Sequence, residues 1–221
     1  MSLEFLSPAP TAIARSPMER EALAAGATLE QRDGWNVAVG FESEQGHLST
    51  VAFADRSQIG KLEVQATDLA ALAAAAGSEP LELGNASRAG DAWVCPLTSD
   101  RALVLCEPAQ TADLRERFGA DAVDLTSAMG ALTIAGPLAP EAFARFTAID
   151  LRAQSTPVYG FRPGSVARTP GAILREAEDR WLMLFGAALG SYVWTVVADA
   201  ADGLGGGPIG IDALAGVNVG A

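Results

Sequence analysis

Asp55-Arg56-Ser57-Gln58-Ile59-Gly60-Lys61-Leu62-Glu63-Val64 returns later in the chain as Leu125-Thr126-Ser127-Ala128-Met129-Gly130-Ala131-Leu132-Thr133-Ile134. The serine, the glycine, the leucine and the final β-branched residue keep one offset of 70 residues, the distance from Ser57 to Ser127. Each copy indicates a turn followed by a strand with alternating apolar residues, and a helical stretch follows each. Two such units in 221 residues predict a duplicated α/β arrangement with internal pseudo-symmetry.

The composition is that of a globular protein with a large core, since 49% of the residues are hydrophobic and 19% are charged. No apolar run reaches the roughly 18 residues that a transmembrane helix needs. The first residues also lack the basic flank and apolar stretch of a signal peptide. We therefore expect a cytoplasmic protein without a membrane partner.

The charge and the cysteines exclude some classes of function. A net charge of −12 argues against binding to a nucleic-acid backbone. Cys95 and Cys106 fall on two strands of a predicted hairpin but out of register for a bridge, so we expect free, buried thiols in a reducing compartment.

Periodicity and capping residues predict most of the elements. Helices are expected from Ser16 to Gly26 and over residues 67–76, 111–118, 140–147 and 190–201, and strands over residues 35–41, 51–54, 93–96, 102–106 and 180–185. Residues 190–201 combine valines typical of a strand with the length of a helix, and we predict a helix. An extended arm is expected at residues 1–15, one domain at 16–202 with repeats around 51–76 and 121–147, and an irregular, glycine-rich tail at 203–221.

No catalytic constellation is evident in the sequence. His47, the one histidine, has no triad partners, and together with two poorly spaced cysteines it predicts no metal site. The run from Gly205 to Gly210 lacks the Lys-Ser/Thr of a phosphate loop. We interpret three neighbouring carboxylates as a charged turn, the four tryptophans as core residues, and two serines as turn residues (Glu176, Glu178, Asp179; Trp35, Trp93, Trp181, Trp194; Ser57, Ser127).

Three groups of motifs carry a family resemblance over residues 16–214. Ser16-Pro17-Met18, Gly26-Ala27 and Gly34-Trp35, followed by Asp55-x-Ser57-x-x-Gly60-Lys61-Leu62-x-Val64, resemble the opening of glycine-cleavage T-protein relatives. Val123-Asp-Leu-Thr-Ser127 with Leu132-x-Ile-Ala-Gly136-Pro137 is similar to a later segment of that superfamily, and Pro208-Ile-Gly210-Ile-Asp-Ala-Leu214 to a third.

The resemblance implies an α+β fold: a duplicated, pseudo-two-fold folate-binding domain with antiparallel and mixed sheets and covering helices. The C-terminal barrel of the full-length T-protein has no counterpart here, nor has the K-x-C-Y-x-G-Q-E signature of the iron–sulfur maturation branch. Compact length and the Ser-Pro opening resemble most the small gamma subunit of heterotetrameric sarcosine oxidase.

Transfer of the family's folate site leaves one candidate residue. Asp91 falls on a pterin-contacting aspartate of the T-protein, whereas the family's glutamate lands near Leu182 and its arginine falls in residues 213–218, which contain no arginine. Unpaired ligand groups cost about 1–3 kcal/mol each. We therefore expect no catalytic residue and no firmly bound cofactor, with tetrahydrofolate as the candidate ligand.

These observations leave three hypotheses. The first is a non-catalytic subunit that packs against larger flavin- and folate-carrying oxidase subunits, or self-associates. The second is a stand-alone tetrahydrofolate-binding or aminomethyltransferase-like protein anchored by Asp91. The third is that the motifs reflect the fold alone and the function has diverged.

Overall fold

A computed structural model describes residues 12–216. Within them the strands are β1 Ala14–Arg15, β2 Ala27–Arg32, β3 Trp35–Phe41, β4 Ala52–Asp55, β5 Gly60–Gln65, β6 Ser87–Ala89, β7 Ala92–Pro96, β8 Arg101–Cys106, β9 Ala122–Asp124, β10 Met129–Ala135, β11 Phe161–Val166, β12 Thr169–Ala177, β13 Arg180–Gly186 and β14 Gly207–Pro208. The helices are α1 Glu19–Ala24, α2 Leu69–Ala76, α3 Thr111–Phe118, α4 Ala139–Phe143, α5 Gly190–Asp202 and α6 Ile211–Ala215. The arm predicted at residues 1–15 lies outside the described residues except for its last four.

The strands form two large sheets and one small one, which confirms the α+β class. The six-stranded sheet has the order β11-β12-β13-β10-β4-β14 and the five-stranded sheet the order β6-β7-β8-β5-β9. All their pairings are antiparallel except β14 with β4. The third sheet, β1-β3-β2, combines a parallel and an antiparallel pair.

The large sheets face each other, and helices cover their outer faces. Leu103 and Leu105 on β8 meet Leu182 and Leu184 on β13 in one buried cluster. The alternate residues of β8 pack on the outer side with Leu72 of α2, and the alternate residues of β13 pack with α4 and α5. The period-two alternation of each strand thus supplies two cores at once.

Local sequence signals explain the helix boundaries that were predicted correctly. The Asp68 side chain accepts a hydrogen bond from the Ala71 amide at 2.8 Å, and Gly77 ends α2 with a φ of 69°. The predicted helix at 111–118 and strand at 35–41 have those same bounds, and 190–201 is the body of α5. The longest helix has 13 residues, and within residues 12–216 none is long and apolar enough to cross a membrane.

The glycine-rich segment corrects one prediction. Residues 203–216 are ordered rather than irregular, with β14 paired to β4 and with Ile209 and Leu214 buried. A side chain on Gly206 would collide with the Val51 carbonyl, and one on Gly210 with the Val39 carbonyl. These glycines therefore permit close backbone approach rather than flexibility. Residues 217–221 lie outside the described residues.

Two other expectations need adjustment. The capping box expected between Ser16 and Glu19 does not form, because the Ser16 hydroxyl donates to the buried Asp55 and Glu19 binds Asn36. The helix expected at 140–147 ends earlier, at Phe143. The cysteines are free and out of register as predicted: Cys95 lies opposite Leu103 and Cys106 opposite Gly60.

The two copies of the repeated motif bind each other reciprocally. The Arg56 amide donates to the Ala131 carbonyl at 2.9 Å, and the Leu125 amide donates to the Lys61 carbonyl at 2.8 Å. In each copy an aspartate closes the turn by accepting from an amide two residues later, at 2.9 Å from Asp55 and at 2.9 Å from Asp124. The turns are offset by 69 residues, one fewer than the strands.

Strand order repeats this correspondence. In sheet position, β11, β12, β13, β10 and β4 match β6, β7, β8, β5 and β9. This is the arrangement that an internal duplication predicts.

Lys61 is buried where the two turns meet. It is the single lysine of the chain, and its side chain is fully buried. The ammonium donates to the carbonyls of Ser57, Ile59 and Thr126 at 2.9, 2.8 and 3.2 Å. Burial lowers the pKa of Lys61 to about 8, although the neighbouring carboxylates of Asp55 and Asp124 oppose this shift.

Lys61 should therefore make stability depend on alkaline pH. Its pKa is 10.5 when unfolded and about 8 when folded, so between these values the unfolded state binds more protons. The free energy of unfolding, relative to the Lys61→Met variant, should be constant below pH 8 and rise by up to about 3 kcal/mol toward pH 10.5. Urea unfolding of both proteins across this range measures the difference, and a difference that stays flat or falls contradicts the prediction.

Candidate functional site

A cleft of about 300 Å³ opens at one edge of the interface between the two large sheets. Its apolar walls are inter-sheet core residues, and its polar lining comes from the first turn of the repeated motif and from strands β6–β8, β12 and β13. The lining residues are Arg56, Ile59, Arg88, Asp91, Trp93, Leu105, Cys106, Glu107, Glu176, Arg180 and Leu182.

Period-two alternation explains why charged side chains reach this cleft. Leu174 and Leu182 face the other sheet, and the residues two positions away on the same strands are Glu176 and Arg180. The pairing of β12 with β13 shifts register between Arg175 and Ala177. This bulge lies at the end of the hairpin, and bulges commonly redirect a side chain there.

Glu176 is the centre of a buried ion cluster. Its carboxylate accepts from Arg56 Nη1 at 2.9 Å and from Arg180 Nε at 2.9 Å, and its side chain is 6% exposed. Burial alone would raise the pKa of Glu176, but the two guanidinium groups outweigh it and the pKa is lowered. Burial also lowers the pKa of Arg180. We call these three residues the ion trio.

The opposite wall combines an aromatic ring with a guanidinium group. Arg88 and Trp93 are directly paired across β6 and β7, and the Arg88 Cζ lies 3.5 Å from the centroid of the Trp93 ring. Arg88 also donates to the Asp91 carbonyl at 2.9 Å. The face of Trp93 is therefore already covered by a cation.

The structure brings together two of the three positions considered for a folate site. Asp91 lies in the exposed turn between β6 and β7 and lines the cleft, and Leu182 lines the same cleft. The third position falls partly in α6, which packs on β3 and β4, and its residues 217–218 lie outside the described residues. His47 Nδ1 lies 3.1 Å from the Pro208 carbonyl, away from the cleft.

The residues do not fit a tightly held pterin. The amino edge of a pterin needs a carboxylate acceptor, but Glu176 is saturated by the ion trio and Leu182 is apolar. Asp91 is an exposed turn residue. Within residues 12–216 no group of three or more His, Cys, Asp or Glu side chains could hold a metal ion.

Sequence reasoning missed the ion trio. Glu176 was assigned with its neighbours to a charged turn, yet it is buried, whereas Glu178 is exposed. Trp93, interpreted as a core residue, also lines the cleft. The alternation Leu174-x-Glu176 and Arg180-x-Leu182 is a signal in the sequence that could have placed both charges on the inner face.

Comparison with known proteins gives matches among solved structures. A chain of the heterotetrameric sarcosine oxidase from Corynebacterium sp. U-96, in complex with pyrrole 2-carboxylate, superposes with a TM-score of 0.67 at 24% identity, covering 86% of this chain and 95% of that one. The glycine cleavage system aminomethyltransferase T from Bartonella henselae gives a TM-score of 0.70 at 16% identity. The match covers 91% of this chain but 60% of the aminomethyltransferase.

The chain has a T-protein-like fold. The resemblance suggested by the sequence motifs is therefore confirmed at the level of the fold. No protein-family model matches the sequence, and no curated protein matches it either. Within the T-protein-like fold, the cleft lies between the two sheets and beside the first turn of the repeated motif.

Removal of the central carboxylate should destabilise this fold strongly. Glu176→Gln would leave Arg56 and Arg180 close together in the protein interior, and we expect a loss of about 3 kcal/mol in the free energy of unfolding. Glu178→Gln is the matched control, because its carboxylate is 79% exposed and should change stability by less than about 0.5 kcal/mol. Equal denaturation midpoints for the two variants would refute the structural role of the ion trio.

Proposed function

We propose that this chain is a non-catalytic subunit resembling the sarcosine oxidase gamma chain, which packs against larger flavin- or folate-carrying oxidase subunits. The observation that carries the proposal is the state of the cleft. Its buried carboxylate is consumed by the ion trio, and an apolar Leu182 occupies a position where relatives hold a polar ligand anchor. A cleft built this way lacks the free acid or base that catalysis needs.

The match in length supports the same proposal. This chain and the matched sarcosine oxidase chain cover each other almost completely, whereas 40% of the aminomethyltransferase chain lies outside the match. The duplicated architecture belongs to the proposal too, and the reciprocal hydrogen bonds between the two turns support it.

An exposed apolar surface beside the cleft supports a partner on that side. Leu83, Val158 and Tyr159 are 53%, 37% and 44% exposed, and the two loops that carry them are joined by hydrogen bonds from Ala86 to Tyr159 and from Phe161 to Gly84. We call these three residues the apolar rim. Tyr159 has a φ of 71°, a strained conformation for an aromatic residue, and its ring packs on Trp93. An apolar rim of this kind is suited to a large subunit.

Purification of the tagged chain from its native cells tests the subunit proposal. Larger polypeptides and the visible absorbance of flavin should co-elute with it on size exclusion. Leu83→Asp/Val158→Asp should reduce their recovery, whereas Leu23→Asp, at a 51% exposed residue of α1, should not. If the wild-type chain elutes alone at its own 22.7 kDa and without flavin, the proposal fails.

A second candidate function is tetrahydrofolate binding or aminomethyl transfer by the chain alone. The position of Asp91 at the cleft favours it, because a carboxylate can accept two hydrogen bonds from a pterin. Under this candidate, calorimetry with tetrahydrofolate should give a binding heat that Asp91→Ala abolishes and Asp113→Ala, on the exposed side of α3, preserves. The subunit proposal expects no heat at millimolar ligand, so the titration separates the two.

A further inference from the structure

The charges at the floor of the cleft do not balance. Arg56 and Arg180 share the single buried carboxylate of Glu176, and their side chains are 14% and 13% exposed. One positive charge is therefore left over in a place with little access to water. Because an uncompensated buried charge is costly, a second carboxylate at this point would be stabilising.

Hydrogen-bond donors remain at the same place. Arg180 engages Glu176 through Nε, and among the described residues its two terminal nitrogens have no acceptor. Arg56 Nη2 reaches Glu107 at 3.5 Å, the outer limit of a hydrogen bond, and the Glu107 side chain is 61% exposed. A guanidinium group can bind a carboxylate through two parallel N–H donors, and both arginines retain donors for this.

The remaining walls suit an apolar body of limited size. Ile59, Leu105 and Leu182 come from the inter-sheet core, and Trp93 closes one side. The volume of about 300 Å³ is at the lower end for ligand pockets. The cleft thus combines a cationic floor with apolar walls.

We infer that Arg56 and Arg180 bind the carboxylate of a small organic acid, with its apolar body against Leu182 and Trp93. Glu107 occupies the outer edge of this position and competes with the ligand for Arg56. The inference does not depend on whether the chain is an oxidase subunit or a folate-binding protein, since neither candidate uses these two arginines to hold a ligand.

Benzoate and its neutral analogue benzamide are suitable probes, with binding to the full chain followed by calorimetry and ligand-observed NMR. Benzoate should bind in the millimolar range, and benzamide at least about tenfold more weakly, because it lacks the charge that the floor requires. Equal binding of both compounds, or binding of neither, overturns the inference.

Two variants with opposite expected effects sharpen the test. Glu107→Gln removes the competing carboxylate at an exposed position and should tighten benzoate binding several-fold. Arg180→Gln should weaken it by about tenfold or more, while Glu176 keeps Arg56 as partner. Arg152→Gln, at an exposed arginine outside the cleft that pairs with Asp150, is the control and should leave binding unchanged. No tightening in Glu107→Gln contradicts the inference even if Arg180→Gln fails to fold.

The carboxylate can be that of a free acid or of a partner's side chain, and the same titration on the native complex distinguishes them. Benzoate binding retained in the complex identifies a free acid as the ligand. Binding present in the isolated chain but blocked in the complex identifies a carboxylate of the partner. Absence of binding in both preparations overturns carboxylate recognition itself.

Discussion

The fold depends on one buried ammonium group held by three backbone carbonyls. Lys61 begins the strand that follows the first turn, and its side chain bonds carbonyls from both turns of the repeat. The strands on either side of the turns belong to different sheets, so this contact fixes how the sheets meet. The cleft opens beside the first of these turns and includes Arg56 and Ile59 from it. Both the core between the sheets and the cleft therefore depend on the same joint.

Local signals in the sequence predicted elements well and segment order less well. The Asp68 cap and the Gly77 stop placed α2 correctly because both act on their own helix end. The run from Gly205 to Gly210 was predicted to be irregular, since flexibility and close approach are two uses of the same residue. Only the carbonyls of Val51 and Val39, distant in sequence, decide between them.

The candidate site was predicted in part for a similar reason. Asp91 and Leu182 could be placed from the family resemblance, and the structure sets both at one cleft. Arg56 and Glu176 are 120 residues apart, so no local pattern could reveal their 2.9 Å contact. Whether Glu176 is a solvated turn residue or a buried partner depends on that contact, because an unpaired carboxylate would not remain buried. The strand alternation around Glu176 was available in the sequence and carried half of the answer.

The exchange of strands between the sheets constrains the folding of any fragment of this protein. Strand β4 precedes the first turn yet pairs with β10, and β9 precedes the second turn yet pairs with β5. Each half of the chain therefore completes a sheet that the other half builds. A fragment cut between α3 and β9 would keep the exposed edge of β5 and a displaced β4 with no sheet to join. Such a half-length chain could complete its hydrogen bonding only by pairing with a second copy, as a strand-swapped dimer.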